Sequence, residues 1–193
     1  AAAWTVTQED FMKNVKAISN LKVRASYGII GNQDITPYET MSLLSATSFD
    51  FGTDNTYTGY WPHAVATPDL TWEKVHQFDF GLDLGLFENR LSLSFDYYYK
   101  KTTDALLKQT SADAIGGVSY WVNAGEVENK GFDIAVTGRI FQTRDFSWTS
   151  TLSGSHNTNK VTKLNDTFYG SKPAQGSVDE CTIIKEGEAI GTF

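Results

Sequence analysis

Cysteine is almost absent from this chain of 193 residues: the single Cys181 excludes an internal disulfide framework and any cysteine-based zinc site. No apolar run approaches the ~18 residues of a membrane-spanning helix, and the hydrophobic fraction of 40% is too low for a helical membrane bundle. Positive charge is scarce. With 16 Lys and Arg against 23 Asp and Glu, the net charge of -7 excludes the basic face that nucleic-acid binding requires. Only 4 prolines occur and aromatics reach 13%, so the chain is not disordered. The start, Ala1-Ala2-Ala3-Trp4, has neither a charged nor an apolar signal region, so a mature or internal piece of a longer chain is expected. A chain polar on average yet rich in aromatics suits a β-protein with two unlike faces.

Period-2 patterns supply those faces. Between His76 and Leu86 the even positions read His76, Phe78, Phe80, Leu82, Leu84, Leu86, against Gln77, Asp79, Gly81, Asp83, Gly85. After Phe87-Glu88-Asn89-Arg90 the odd positions read Leu91, Leu93, Phe95, Tyr97, Tyr99, against Ser92, Ser94, Asp96, Tyr98, Lys100. This alternation predicts a hairpin whose register pairs Leu86 with Leu91, Asp83 with Ser94 and Asp79 with Tyr98. A second hairpin is expected from Phe132–Ile140 and Phe146–Gly154, with Gly138 opposite Trp148 and Phe132 opposite Gly154, so that an aromatic covers each glycine. Leu21 to Ile30 reads as a fifth strand, and Thr182 to Phe193 as a candidate sixth. Thr7-Gln8-Glu9-Asp10 has capping-box form, with Phe11, Val15 and Ile18 on one helical face, and predicts a short helix near 8–18.

The apolar face can meet a second sheet or lipid. Leu91 to Tyr99 extends about 26 Å, which at a ~45° tilt covers roughly 19 Å of membrane depth. Trp72, Tyr97, Tyr99 and Trp148 would form interfacial girdles, and the opposite face lacks the Lys and Glu of a soluble sheet. Tight turns alternate with long connections at about 31–71 and 106–127, the habit of a transmembrane β-barrel. Five or six strands fall short of the ~8 of the smallest single-chain barrel, and an open edge in lipid is costly. The expected fold is therefore all-β: an antiparallel transmembrane β-barrel segment of a larger barrel, with one short helix near the N-terminus. Residues 1–20 would form a periplasmic connection, 21–163 the barrel strands with their extracellular loops, and 164–193 a loop with a further strand. The alternative is a soluble all-β binding module of a secreted or cell-surface protein.

Leu21-Lys22-Val23-Arg24-Ala25-Ser26-Tyr27-Gly28, followed by Gly31-Asn32-Gln33, resembles a signature of SusC/RagA-type TonB-dependent outer-membrane transporters. Pro68-Asp69-Leu70-Thr71-Trp72-Glu73, Gly81-Leu82-Asp83, Asn89-Arg90-Leu91, Asp96-Tyr97-Tyr98-Tyr99-Lys100-Lys101-Thr102, Asn123-Ala124-Gly125, Asn129-Lys130-Gly131 and Asn159-Lys160-Val161 continue it in order. Glu186 to Phe193 resembles an internal segment of that family, which makes Phe193 an expected truncation point. The resemblance implies an importer of oligosaccharides or peptides in the outer membrane of Bacteroidetes-like bacteria, with a barrel of about 22 strands. It also implies a SusD-like surface lipoprotein as lid, and TonB as energy source through a part not in this chain.

No enzyme chemistry, cofactor or metal site is expected. His63, His76 and His156 are far apart in sequence; Asp79, Asp83 and Asp96 read as solvated lining of a lumen. Gly28-Ile29-Ile30-Gly31 opens no helix, and Cys181 has no basic neighbour in sequence. Candidate contacts to substrate or lid are Tyr57, Tyr60, Trp61 and His63 in the first long loop, with Tyr120 and Trp121 in the second. Flat aromatics stack on sugar rings or grip peptide side chains, and they dominate protein interfaces.

Overall fold

The computed structural model of the protein describes residues 1–50, 52, 56–110, 117–164 and 184–190. Eight strands occur among them: β1 (Ala2–Thr5), β2 (Ile18–Asn32), β3 (Leu43–Asp50), β4 (Thr56–Ala64), β5 (Glu73–Leu86), β6 (Leu91–Thr110), β7 (Ser119–Gln142) and β8 (Ser147–Leu164). Six form one antiparallel sheet in the order β1-β2-β5-β6-β7-β8, and β3 pairs with β4 alone. All five strands expected from alternation are present, as β2, β5, β6, β7 and β8. The chain divides into two compact units. One comprises Ala1–Ile30, Val75–Lys101 and Glu128–Asn159; the other comprises Gly31–Lys74, Thr102–Val127 and Lys160–Phe193.

In the first unit the apolar face stays open. Phe78 is 41% exposed and Leu152 76%, and the fully or nearly buried hydrophobics among the described residues are Val6, Val75, Ala105, Val118, Ala124 and Val161. A soluble sandwich would bury Phe78, Phe80, Leu82 and Leu84 against a second sheet. Here the strands that carry such residues belong to one sheet, and the exposed ones form the patch expected of a face that meets lipid or a partner.

The same unit explains how its tight turns hold. Phe87, Glu88 and Asn89 have φ of 53°, 59° and 58°, a left-handed run that is costly for residues other than glycine. Ser19 Oγ accepts from the backbone N–H of Glu88 at 2.7 Å and of Asn89 at 3.3 Å, and Phe87 N–H donates to Ala17 O at 3.0 Å. The turn is thus tied to the start of β2. Register in the β5–β6 hairpin agrees with expectation: Ser94 Oγ donates to Asp83 Oδ1 at 3.2 Å. In the second hairpin the contacts lie two residues further along β8 than expected. Thr137 Oγ1 meets Thr151 Oγ1 at 3.0 Å, and the Phe132 ring meets His156 at 5.8 Å. No aromatic covers either glycine: Gly138 has nothing within 4 Å of its Cβ position, and Gly154 has Ile134 at 3.8 Å. Trp148 instead stacks on Phe141 at 6.1 Å.

The helix expected near 8–18 is replaced by two 3₁₀ turns, Val6–Gln8 and Asp10–Met12. The reason is strand pairing. β1 pairs with β2 with Thr5 opposite Lys22, so the chain between must return to an adjacent strand about 4.8 Å away. A straight helix of eleven residues would carry it about 16 Å off. Thr7 Oγ1 accepts from Leu21 N–H at 3.5 Å instead of capping a helix, while Trp4 Nε1 donates to Glu9 at 3.0 Å.

The second unit departs most from expectation. The first long connection contains the β3–β4 hairpin, with Leu44 opposite Pro62, Ser45 opposite Trp61, Ala46 opposite Tyr60 and Phe49 opposite Tyr57. Gly59 makes room on this ribbon, because a Cβ there would lie 2.1 Å from the Phe49 ring. Most of the second connection is strand as well, since β6 runs on to Thr110 and β7 starts at Ser119. Of the candidate strand at 182–193, Ile184–Ile190 instead forms a turn. Gly187 N–H donates to Val161 O at 2.8 Å, and Val161 N–H donates to Glu188 O at 2.9 Å. Residues 182–183 and 191–193 lie outside the described residues, as does Cys181.

Candidate functional site

Aromatics from distant parts of the sequence converge in the second unit. Trp61 and His63 of β4 and Tyr120 and Trp121 of β7 border one cavity of 380 Å³. The His63 ring stands nearly perpendicular to Trp61, with centroids 6.1 Å apart. Strand alternation separates the other two candidates from this group. Tyr60 points to the opposite face of the ribbon and is 69% exposed, while Tyr57 shares the Trp61 face but sits about 13 Å further along. Four of the six expected residues therefore share a site, and Tyr57 and Tyr60 stand outside it.

Two charged residues complete the cavity that sequence reasoning did not single out. Glu39 accepts a hydrogen bond from Trp121 Nε1, and its Oε1 lies 3.9 Å from Lys108 Nζ. Lys108 in turn sits 5.6 Å from the Trp121 ring centroid, a cation–π distance. Nothing in a lone loop glutamate or a strand lysine signals this partnership, which spans 82 residues between Glu39 and Trp121.

Asn123 carries the frame beneath it. At Asp104 the extended backbone of β6 turns left-handed, with φ of 56°. Asn123 Nδ2 donates to Asp104 O and to Thr71 O, both at 2.8 Å, while Asn123 Oδ1 accepts from Thr71 N–H at 2.8 Å. Glu73 accepts from Leu106 N–H at 3.2 Å. The residues quoted above as Pro68–Glu73 and Asn123–Gly125 thus hold one another. Replacing Asn123 with Ala leaves two carbonyls, one N–H and the Thr71 hydroxyl without this partner, and should cost about 2 kcal/mol of stability. Asn123→Asp should cost at least as much, since it sets a carboxylate against two carbonyl oxygens. Thermal midpoints of the full-length protein in detergent check this; an Ala variant indistinguishable from the parent would refute it.

The polar face of the first unit is not merely solvated. Arg24 Nε and Nη2 donate to both oxygens of Asp83 at 3.0 and 3.2 Å, and Nη2 also donates to Asp96 Oδ1 at 2.9 Å. Gly81 leaves the space, as a Cβ there would fall 2.7 Å from Arg24 Cζ. Asp79 accepts from Ser26 Oγ at 2.9 Å and from Gln77 Nε2 at 2.9 Å. The expected lining carboxylates are therefore hydrogen-bonded across β2, β5 and β6, Asp83 and Asp96 through Arg24 and Asp79 through Ser26 and Gln77. Each histidine has its own partner: His63 meets Trp61, His76 Nδ1 meets Tyr27 OH at 3.2 Å, and His156 meets Thr158. Among the described residues no group of three or more His, Cys, Asp and Glu could hold a metal ion.

Residues 4–178 match the family described as TonB dependent receptor-like, beta-barrel. The chain belongs to that family. TonB-dependent receptor P3 of Formosa agariphila is 40% identical over 196 residues, covering 100% of this chain and 20% of that protein. TonB-dependent receptor SusC of Bacteroides thetaiotaomicron is 30% identical, again over 100% of this chain and 20% of that protein. Among solved structures, the RagAB peptide importer in the closed-closed state superposes with a TM-score of 0.79 at 28% identity, over 96% of this chain and 20% of that one. The RagAB peptide transporter gives 0.74 at 30% identity, over 86% and 18%. The chain thus spans about a fifth of the length of these relatives, and its open sheet is a piece of a TonB-dependent receptor barrel. The family is one of receptors and transporters rather than an enzyme class.

Proposed function

We propose that this chain is part of an outer-membrane importer that takes up oligosaccharides or peptides, with a SusD-like lipoprotein as lid and TonB as energy source. The observation that carries the reading is the two-faced sheet. Its exposed apolar face suits lipid, and its cross-linked polar face, with Arg24, Asp83 and Asp96, suits a water-filled lumen. Trp61, His63, Tyr120 and Trp121 form the first contact with substrate or lid, while Tyr57, further along the β3–β4 ribbon, and Tyr60, on its opposite face, are outlying contacts.

The test uses the full-length protein in its own cells. Deleting its gene should abolish uptake of the substrate, and restoring the intact gene should recover it only while TonB is present. A tagged copy extracted in detergent should bring down a surface lipoprotein in equal amount. Uptake that persists without TonB, or a transporter that purifies without a lipoprotein, would overturn the corresponding part of this reading.

A further inference from the structure

The chemistry of the 380 Å³ cavity narrows the substrate. This step rests on the reading above that the cavity meets substrate. Its size falls within the ~300–1,000 Å³ of small-ligand clefts. Its charges cancel internally: Glu39 and Lys108 face each other at 3.9 Å and both engage Trp121. An acidic ligand would be met by the Glu39 carboxylate, and a basic one by the Lys108 ammonium, so each would gain little beyond what the pair already supplies. A peptide strand laid along β4 would also find no N–H at Pro62, between Trp61 and His63.

We propose that this cavity selects an uncharged sugar ring, stacked on the aromatic walls of Trp61 and Tyr120, with the Glu39–Lys108 pair meeting its hydroxyl groups. Glu39 and Lys108 are then the specificity-determining residues. Glu39→Gln is the informative change: the amide oxygen still accepts from Trp121, while Lys108 loses its counter-charge and the cavity becomes cationic.

The experiment immobilises the full-length transporter with its co-purified lid in detergent. Three pools are passed over it and the retained molecules weighed by mass spectrometry. They are neutral oligosaccharides from hydrolysed dextran, xylan and mannan; uronic-acid oligosaccharides from a pectin digest; and tryptic peptides of casein. The expected result is retention of neutral oligosaccharides, reduced at least tenfold by Trp61→Ala, with Glu39→Gln shifting preference at least fivefold toward the uronic-acid pool. Retention of acidic oligosaccharides or peptides, lost in Trp61→Ala, would overturn the uncharged-sugar assignment while leaving the cavity as the substrate site. Retention of any pool that Trp61→Ala leaves unchanged, or retention of none, would overturn the site itself. A Glu39→Gln variant that keeps the parent's preference would remove Glu39 and Lys108 as the selecting pair.

Discussion

An arginine at Leu93 in the full-length protein should cost about 1–2 kcal/mol of folded stability, between the midplane and interface values for a lipid-facing strand, whereas one at neighbouring Ser92 should change it by less than about 0.5 kcal/mol. The two positions adjoin in β6 but face opposite ways. Leu93 shares its face with Phe95, whose ring stacks on Phe132 at 6.2 Å. Ser92 shares its face with Ser94 and Asp96, and borders a hollow together with Asn20, Asp83 and Asn89. A charge on the first face must sit in hydrocarbon or drag water and headgroups toward it; a charge on the second stays hydrated. Urea midpoints of the protein refolded into phospholipid bilayers, read from the heat-sensitive mobility of the folded barrel, measure the difference. A soluble sheet would give a smaller cost for Leu93, since a half-buried surface side chain can swing an arginine head out into water. Equal midpoints for the two variants would refute a lipid-facing surface.

Where the two faces meet different solvents, the strands were legible from alternation alone. Phe78, Phe80, Leu82 and Leu84 alternate with Asp79, Gly81 and Asp83 because one set meets an apolar medium and the other a polar one. That contrast is lost where neighbouring residues are alike, as in Leu106-Leu107 and Lys108-Gln109-Thr110, which is why the run of β6 beyond 105 was not readable, nor the start of β7 at Ser119. The β3–β4 ribbon was hidden for a related reason: Ser45, Thr47 and Phe49 on one face and Leu44, Ala46 and Ser48 on the other give no periodic signal. Phe11, Val15 and Ile18 did show a helical spacing, but the requirement that β1 return beside β2 overrode it. At the candidate site the aromatics stood out because six of them crowd two short segments. Glu39, Lys108 and the Arg24 network did not, because their partners are set by strand pairing over 59 to 82 residues. Asn123 was visible as part of a recurrent motif, while its role in holding Thr71 and Asp104 follows only from the fold.

A labelling reagent confined outside intact cells should reach a tag inserted near Asp54 and miss one inserted at Asn89. The expectation follows from chain direction. β5 ends at the turn 87–90 and β7 ends at the turn before β8, and outer-membrane barrels place such tight turns in the periplasm. β2 and β6 run the other way, so the chain after Asn32 and the chain after Thr110 must both emerge at the outer surface before β5 and β7 carry it back. The 3₁₀ turns at Val6–Gln8 and Asp10–Met12 precede the outward-running β2 and therefore lie on the periplasmic side. The tight turn serves as the inner control because Ser19 and Ala17 fix where its backbone lies and Asn89 is exposed. With this sidedness Trp61, His63, Tyr120 and Trp121 stand where a lid or an arriving substrate first meets the protein. The reverse labelling pattern would place the cavity in the periplasm and end its candidacy as the outer contact.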